Sequence, residues 1–197
     1  MKRSLIILCA VLAIISFNAA NDAYAVSYTF SLNPNMMDLN HDFAYKWGIS
    51  QSLEPDEIIT EASLTIYDIN NWKVEQNVLY INLLENAPLG VKKYNDKGYG
   101  NYFAKTGLLL DEYIDTGSTA ENYIYHFDKS ELVALNNALQ DGIVGFGLDP
   151  DCHYNTSGVS LQFQTASVPE PGTLVLLGAG LTGLAFFRRY NLKKYRT

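Results

Sequence analysis

Phe43-Ala44-Tyr45-Lys46-Trp47-Gly48-Ile49 sets a large apolar side chain at every second position, and Ala62-Ser63-Leu64-Thr65-Ile66-Tyr67 repeats the alternation. Side chains of an extended chain point to opposite faces in turn, so this period of two marks strands with one buried face. The same pattern recurs in Tyr28/Phe30/Leu32, Leu79/Ile81/Leu83, Tyr123/Tyr125/Phe127 and Val159/Leu161/Phe163, and Ile143–Leu148 is a nearly continuous apolar run. Together these give about seven strand candidates. Asn33-Pro34, Glu54-Pro55-Asp56, Asn70-Asn71, Asn95-Asp96, Gly98 and Asp141-Gly142 lie between them and favour chain reversals. One segment departs from the pattern. Asp128-x-x-Glu131 has the form of a capping box, Leu132, Leu135 and Leu139 follow at helical spacing, and Gly142 is placed to end the helix. Residues 92–122 are weakly periodic and read as a long surface excursion. The expected class is mainly β: an antiparallel two-sheet β-sandwich of jelly-roll type with one short helix.

The two ends of the chain are built differently. Lys2-Arg3, the apolar run Leu5–Phe17 and the small-x-small triplet Ala23-Tyr24-Ala25 form a signal peptide over residues 1–25, with Val26 as the first mature residue. Residues 168–197 form a second targeting segment. Val168-Pro169-Glu170-Pro171 is a rigid elbow, because each proline fixes φ and restricts the residue before it. Residues 173–187 carry no charge and would span about 22 Å as a helix, short of a hydrocarbon core of about 30 Å. A transmembrane helix there inserts weakly. Arg188, Arg189, Lys193, Lys194 and Arg196 follow it, and the positive-inside rule keeps them cytoplasmic.

The order Val-Pro-Glu-Pro, short apolar helix and Arg188-Arg189 resembles the PEP-CTERM sorting signal of Gram-negative bacteria. The resemblance implies recognition by an exosortase, a membrane protease that removes the tag and passes the ectodomain to the cell surface or the exopolysaccharide matrix. Signal peptidase and the Sec machinery are the partners implied by the other end. The expected route runs from an ectodomain in the periplasm, tethered to the inner membrane, to the surface. Leu39–Ile49 with Ile59–Ile66, and Gly147-Leu-Asp-Pro-Asp-Cys-His-Tyr154, resemble the opening and closing segments of uncharacterised β-sandwich ectodomains that carry such tags. That likeness brings no activity with it. Gly178-Ala-Gly180-Leu-Thr-Gly183 also fits a dinucleotide-binding fingerprint, but only fourteen residues follow it and none is acidic. No βαβ unit or ribose-binding acid can be built from them.

Removing both targeting segments leaves residues 26–167, enough for one domain with its own core. All four arginines lie in the targeting segments, so the ectodomain carries seven lysines against nineteen acids, a formal charge of −12. That balance opposes nucleic acid and anionic lipid surfaces. Cys9 leaves with the signal peptide, so Cys152 is the one mature cysteine and an intramolecular disulfide is excluded.

Asp38-x-Asn40-x-Asp42 and Asp149-x-Asp151 are alternating oxygen ligands in loops. If the first and last strands pair, the two loops converge and Asp38, Asn40, Asp42, Asp149 and Asp151 could share a Ca²⁺ ion; otherwise they are turn residues. No other cofactor is indicated. His41 and His126 show no ligand spacing with His153, and Cys152-His153 are neighbours whose side chains diverge in an extended chain, so no catalytic dyad is read there. The many tyrosines, with Trp47 and Trp72, suit core and cross-strand pairing, or else a sugar-stacking face. The sequence therefore points to a non-enzymatic surface or matrix protein with a structural or adhesive role. A carbohydrate-binding module is the alternative, and a hydrolase comes third.

Overall fold

The computed structural model describes residues 26–32, 36–73, 77–98, 100–115, 117–140, 142–167 and 178–183. Ala25–Ala166 forms one compact unit. Its strands are β1 (Val26–Leu32), β2 (Asp38–Leu39), β3 (Phe43–Ser50), β4 (Glu57–Asn71), β5 (Asn77–Leu84), β6 (Gly90–Asn95), β7 (Gly107–Asp115), β8 (Glu121–His126), β9 (Ile143–Pro150), β10 (Tyr154–Asn155) and β11 (Gly158–Ser167). They make two antiparallel sheets. One runs β1-β11-β4-β10-β2 with β8 also on β4, and the other runs β6-β3-β9-β5-β7.

The alternation read from the sequence becomes the inner faces of these sheets. Tyr45, Trp47 and Ile49 of β3, Leu64 and Ile66 of β4, Leu79, Ile81 and Leu83 of β5, Val144, Phe146 and Leu148 of β9, and Leu161 and Phe163 of β11 meet in one buried core. Removing such side chains from water is the main favourable term for a domain of this kind. The aromatics pack against each other as well. Phe163 stacks on Phe30 and Tyr28, and Trp47 lies against Phe146 with ring centroids 5.8 Å apart.

The helix α1 (Lys129–Gln140) forms where the capping box placed it. Asp128 Oδ1 accepts from the Glu131 N–H at 2.9 Å and Glu131 Oε2 accepts from the Asp128 N–H at 2.7 Å; the Glu131 N–H, then the Ser130 hydroxyl, hold the Asp128 carboxyl below its ordinary pKa. Gly142, at φ +78°, donates its N–H to the Leu139 carbonyl and closes the far end. Leu135, Ala138 and Leu139 enter the common core. Asn136 ties the helix to β4: its Oδ1 accepts from the Ile59 N–H and its Nδ2 donates to the Ile59 carbonyl.

The stretch 92–122 differs from expectation. It holds the end of β6, all of β7 and the start of β8, and the segment between β6 and β7 packs onto the outer face of the second sheet. Phe103 is fully buried there with Ala44 and Leu84, over Gly147. A Cβ at Gly147 would lie 2.6 Å from the Phe103 ring, so glycine is the seat that lets the ring reach the sheet. Asn101 and Asn82 exchange two amide hydrogen bonds at 2.9 and 3.1 Å beside it.

The first and last strands pair, with Val26 opposite Thr165 and Leu32 opposite Val159. The points where the two targeting segments join the sandwich are therefore adjacent. Residues 1–25, expected as a signal peptide, the Val168–Pro171 elbow and Arg188-Arg189 lie outside the described residues. Of the expected membrane helix 173–187, residues 178–183 are described and are helical. Among the described residues, no helix is long and apolar enough to cross a membrane.

Candidate functional site

The loop after β2 and the segment joining β9 to β10 meet at the end of β11 away from Ser167. Two backbone pairings bring them there: Leu39 and Asp38 of β2 lie opposite Tyr154 and Asn155 of β10, and β3 pairs along β9. Asn40 Oδ1 accepts from the Asp42 N–H at 2.9 Å, a turn that presents His41 outward. His41 Nδ1 and His153 Nδ1 then stand 3.3 Å apart, with the rings edge to face at 78°. Asp42 Oδ1 is 3.5 Å from the other ring nitrogen of His41. On its far side His153 packs against the exposed Trp72 at 5.0 Å, and Lys73 Nζ sits 4.4 Å from the Trp72 ring centre.

A second polar cluster is buried at the end of β9. Asp149 is 1% exposed, and its Oδ2 accepts from the Tyr102 N–H at 2.6 Å. Asp151 Oδ1 accepts from the Gly100 N–H, and Asp96 Oδ1 accepts from the Gly98 N–H. Asp96 lies beside Asp149 and acts on its carboxyl. Burial, then the charges of Asp96 and Asp151, outweigh the Tyr102 N–H and push Asp149 up to about 7. The cluster clamps the segment between β6 and β7 onto the sheet.

The residues expected to share Ca²⁺ are distributed between these places. The loops converge as anticipated, but Asp149 is buried under Tyr102 and engaged with Asp96, whereas Asp38 and Asp42 are exposed. Asn40 spends its carbonyl oxygen on the Asp42 backbone. Among the described residues, no group of three or more His, Cys, Asp or Glu side chains is arranged to hold a metal ion. Cys152 is half-buried. The residue that sequence spacing missed is His41 as a neighbour of His153. They are separated by 112 positions, and the expected convergence of their two loops was the one signal that could have joined them.

Val26, the expected first mature residue, opens β1. Ala23, Ala25, Val168, Pro169, Glu170, Pro171, Arg188 and Arg189 lie outside the described residues, and sequence comparison carries the assignment instead. Residues 167–189 match the PEP-CTERM protein-sorting motif. The chain therefore carries the tag of an exosortase-dependent sorting substrate, attached to a β-sandwich. The chain matches no curated protein.

Proposed function

We propose that this is a non-enzymatic protein of the cell surface or exopolysaccharide matrix, exported through a cleaved signal peptide, held at the inner membrane by its C-terminal helix and released by an exosortase. The PEP-CTERM motif at 167–189 is the observation that carries this reading. The fold supports a structural role. Its aromatics are largely core residues, and two hollows on its surface do not bring two free acids together around a deep cleft. An open groove of about 950 Å³ beside α1 is lined by one carboxylate, Glu85, and a smaller hollow of about 330 Å³ contains Glu54 and Glu57. There the Glu57 carboxyl is occupied by Thr165 Oγ1 and the Glu54 N–H. A glycosidase needs a free acid and a free base facing one bond.

The carbohydrate-binding alternative is favoured by Trp72 and Tyr102, exposed at the end of the sandwich away from Ser167. Aromatic faces of this kind stack on sugar rings. Replacement of Pro169-Glu170-Pro171 by alanines in the native host tests the sorting reading. The variant should fold normally and remain in the inner membrane, while the parent reaches the surface fraction. Equal surface delivery of both would contradict it. A glycan array with the surface-released protein separates the two roles, since a Trp72-dependent signal would favour the module.

A further inference from the structure

We propose that His41 and His153 form a binding site for the borderline divalent ion Zn²⁺, with Cu²⁺ as a spectroscopic probe of the same pair, and that the ion locks the loop after β2 to the segment between β9 and β10. Two imidazole nitrogens at about 2.0–2.1 Å from one ion in tetrahedral geometry lie about 3.3–3.4 Å apart. The two Nδ1 atoms stand 3.3 Å apart. The spacing a metal requires is thus already set by β2–β10 pairing.

Asp42 Oδ1 lies 3.5 Å from His41 Nε2, which favours the His41 proton on Nε2 with the Nδ1 lone pair toward His153. A carboxylate behind a ligating imidazole is the usual means of orienting it and raising its basicity. Without an ion, His153 Nδ1–H donates to His41 Nδ1; on binding, His153 carries its proton on Nε2 and both Nδ1 lone pairs face the ion. Half of the His41 side-chain surface is open to solvent, so the ion has a direct approach. Neutral imidazoles select borderline ions over Ca²⁺, which takes oxygen ligands. The Asp42 charge and the −12 ectodomain favour cation approach in general. Water fills the remaining positions, since no third His, Cys, Asp or Glu among the described residues completes a shell.

Trp72 supplies the readout. Its ring is 5.0 Å from His153, whereas Trp47, the other tryptophan, is buried in the core. The full chain, purified in detergent without a polyhistidine tag, is titrated with Cu²⁺ while tryptophan emission is followed. A saturable quench at one ion per chain is expected, reversed by EDTA, competed by Zn²⁺ and untouched by millimolar Ca²⁺. His41→Ala and His153→Ala should each abolish it while keeping the parent's melting temperature in EDTA. Asp42→Asn should weaken binding about 10- to 100-fold. Trp72→Phe should remove the quench but leave Cu²⁺ uptake in equilibrium dialysis intact. Absence of saturable binding, or equal binding by the His41→Ala, His153→Ala double variant, would overturn the site and reduce the pair to a hydrogen bond between side chains.

Discussion

Gly147 has no side chain because Phe103 occupies the space where one would be. Forcing a methyl into a filled contact typically costs about 1–3 kcal/mol, and here the ring cannot swing aside without unseating the chain between β6 and β7. Gly147→Ala should therefore lower stability by about that amount and expose the exposed lysines on either side, Lys97 and Lys105, to faster tryptic cleavage. A variant that melts like the parent and resists trypsin equally would show that the segment is held without the ring. Asp149 adds a pH dependence at the same place. Its pKa, ordinarily 3.8, is about 7 in the folded protein, so between those values the folded state keeps a proton that the unfolded chain has released. Stability then falls as pH rises from about 4 to about 7 and is level above. Asn at this position mimics the protonated acid: it stays neutral, can accept from the Tyr102 N–H and can donate to Asp96. Asp149→Asn should be no better than the parent at pH 4 and gain stability over it as the pH rises to 8, in melts across the range. A parent curve that rises between pH 4 and 7 in step with the variant would remove the buried-acid account.

Helix α1 is attached to β4 chiefly through Asn136, whose side chain satisfies both backbone groups of Ile59. Asn136→Ala leaves that N–H and carbonyl without their partner, and should cost about 2–3 kcal/mol in denaturant melts. A loss under half of that would mean that apolar packing by Leu135 and Leu139 suffices. The helix was legible because a capping box, three leucines and a glycine act locally. So were the strands with one buried face, from Tyr45/Trp47/Ile49 to Leu161/Phe163. The missed strands hide their pattern for identifiable reasons. β7 pairs Ile81 with Asp111 and Asn82 with Leu109, leaving Leu110 extra; this bulge breaks the alternation, so Leu108 and Leu109 are exposed while Leu110 and Tyr113 are buried. β6 lies at a sheet edge with Lys92 and Lys93 exposed, and an edge strand has little apolar face to read. β4 extends well beyond Ala62–Ile66, and its irregularity near Asp68, at φ +51°, ends the visible period. The histidine pair was not legible, because ligand spacing is local and the pairing of β2 with β10 is not.

At the scale of the molecule, β1 and β11 bring Val26 and Ser167, the first and last described residues of the sandwich, to one edge of it, while the histidine pair and Trp72 lie at the other end of β11. Under the export proposed above, the charge layout, with cations beside both apolar segments and acids between, would place residues 26–167 outside the cytoplasm. Alkaline phosphatase fused after Ser167 should accordingly be active in cells, and an inactive, cytoplasmic fusion would contradict export. On the proposed function the protein reaches the surface with both ends removed, and the intact mass of the surface-released protein from the native host should be that of a species that begins at Val26 and ends within Val168–Pro171. A surface species that still carries Arg188-Arg189, or a chain found whole in the membrane while the host's exosortase is active, would contradict it.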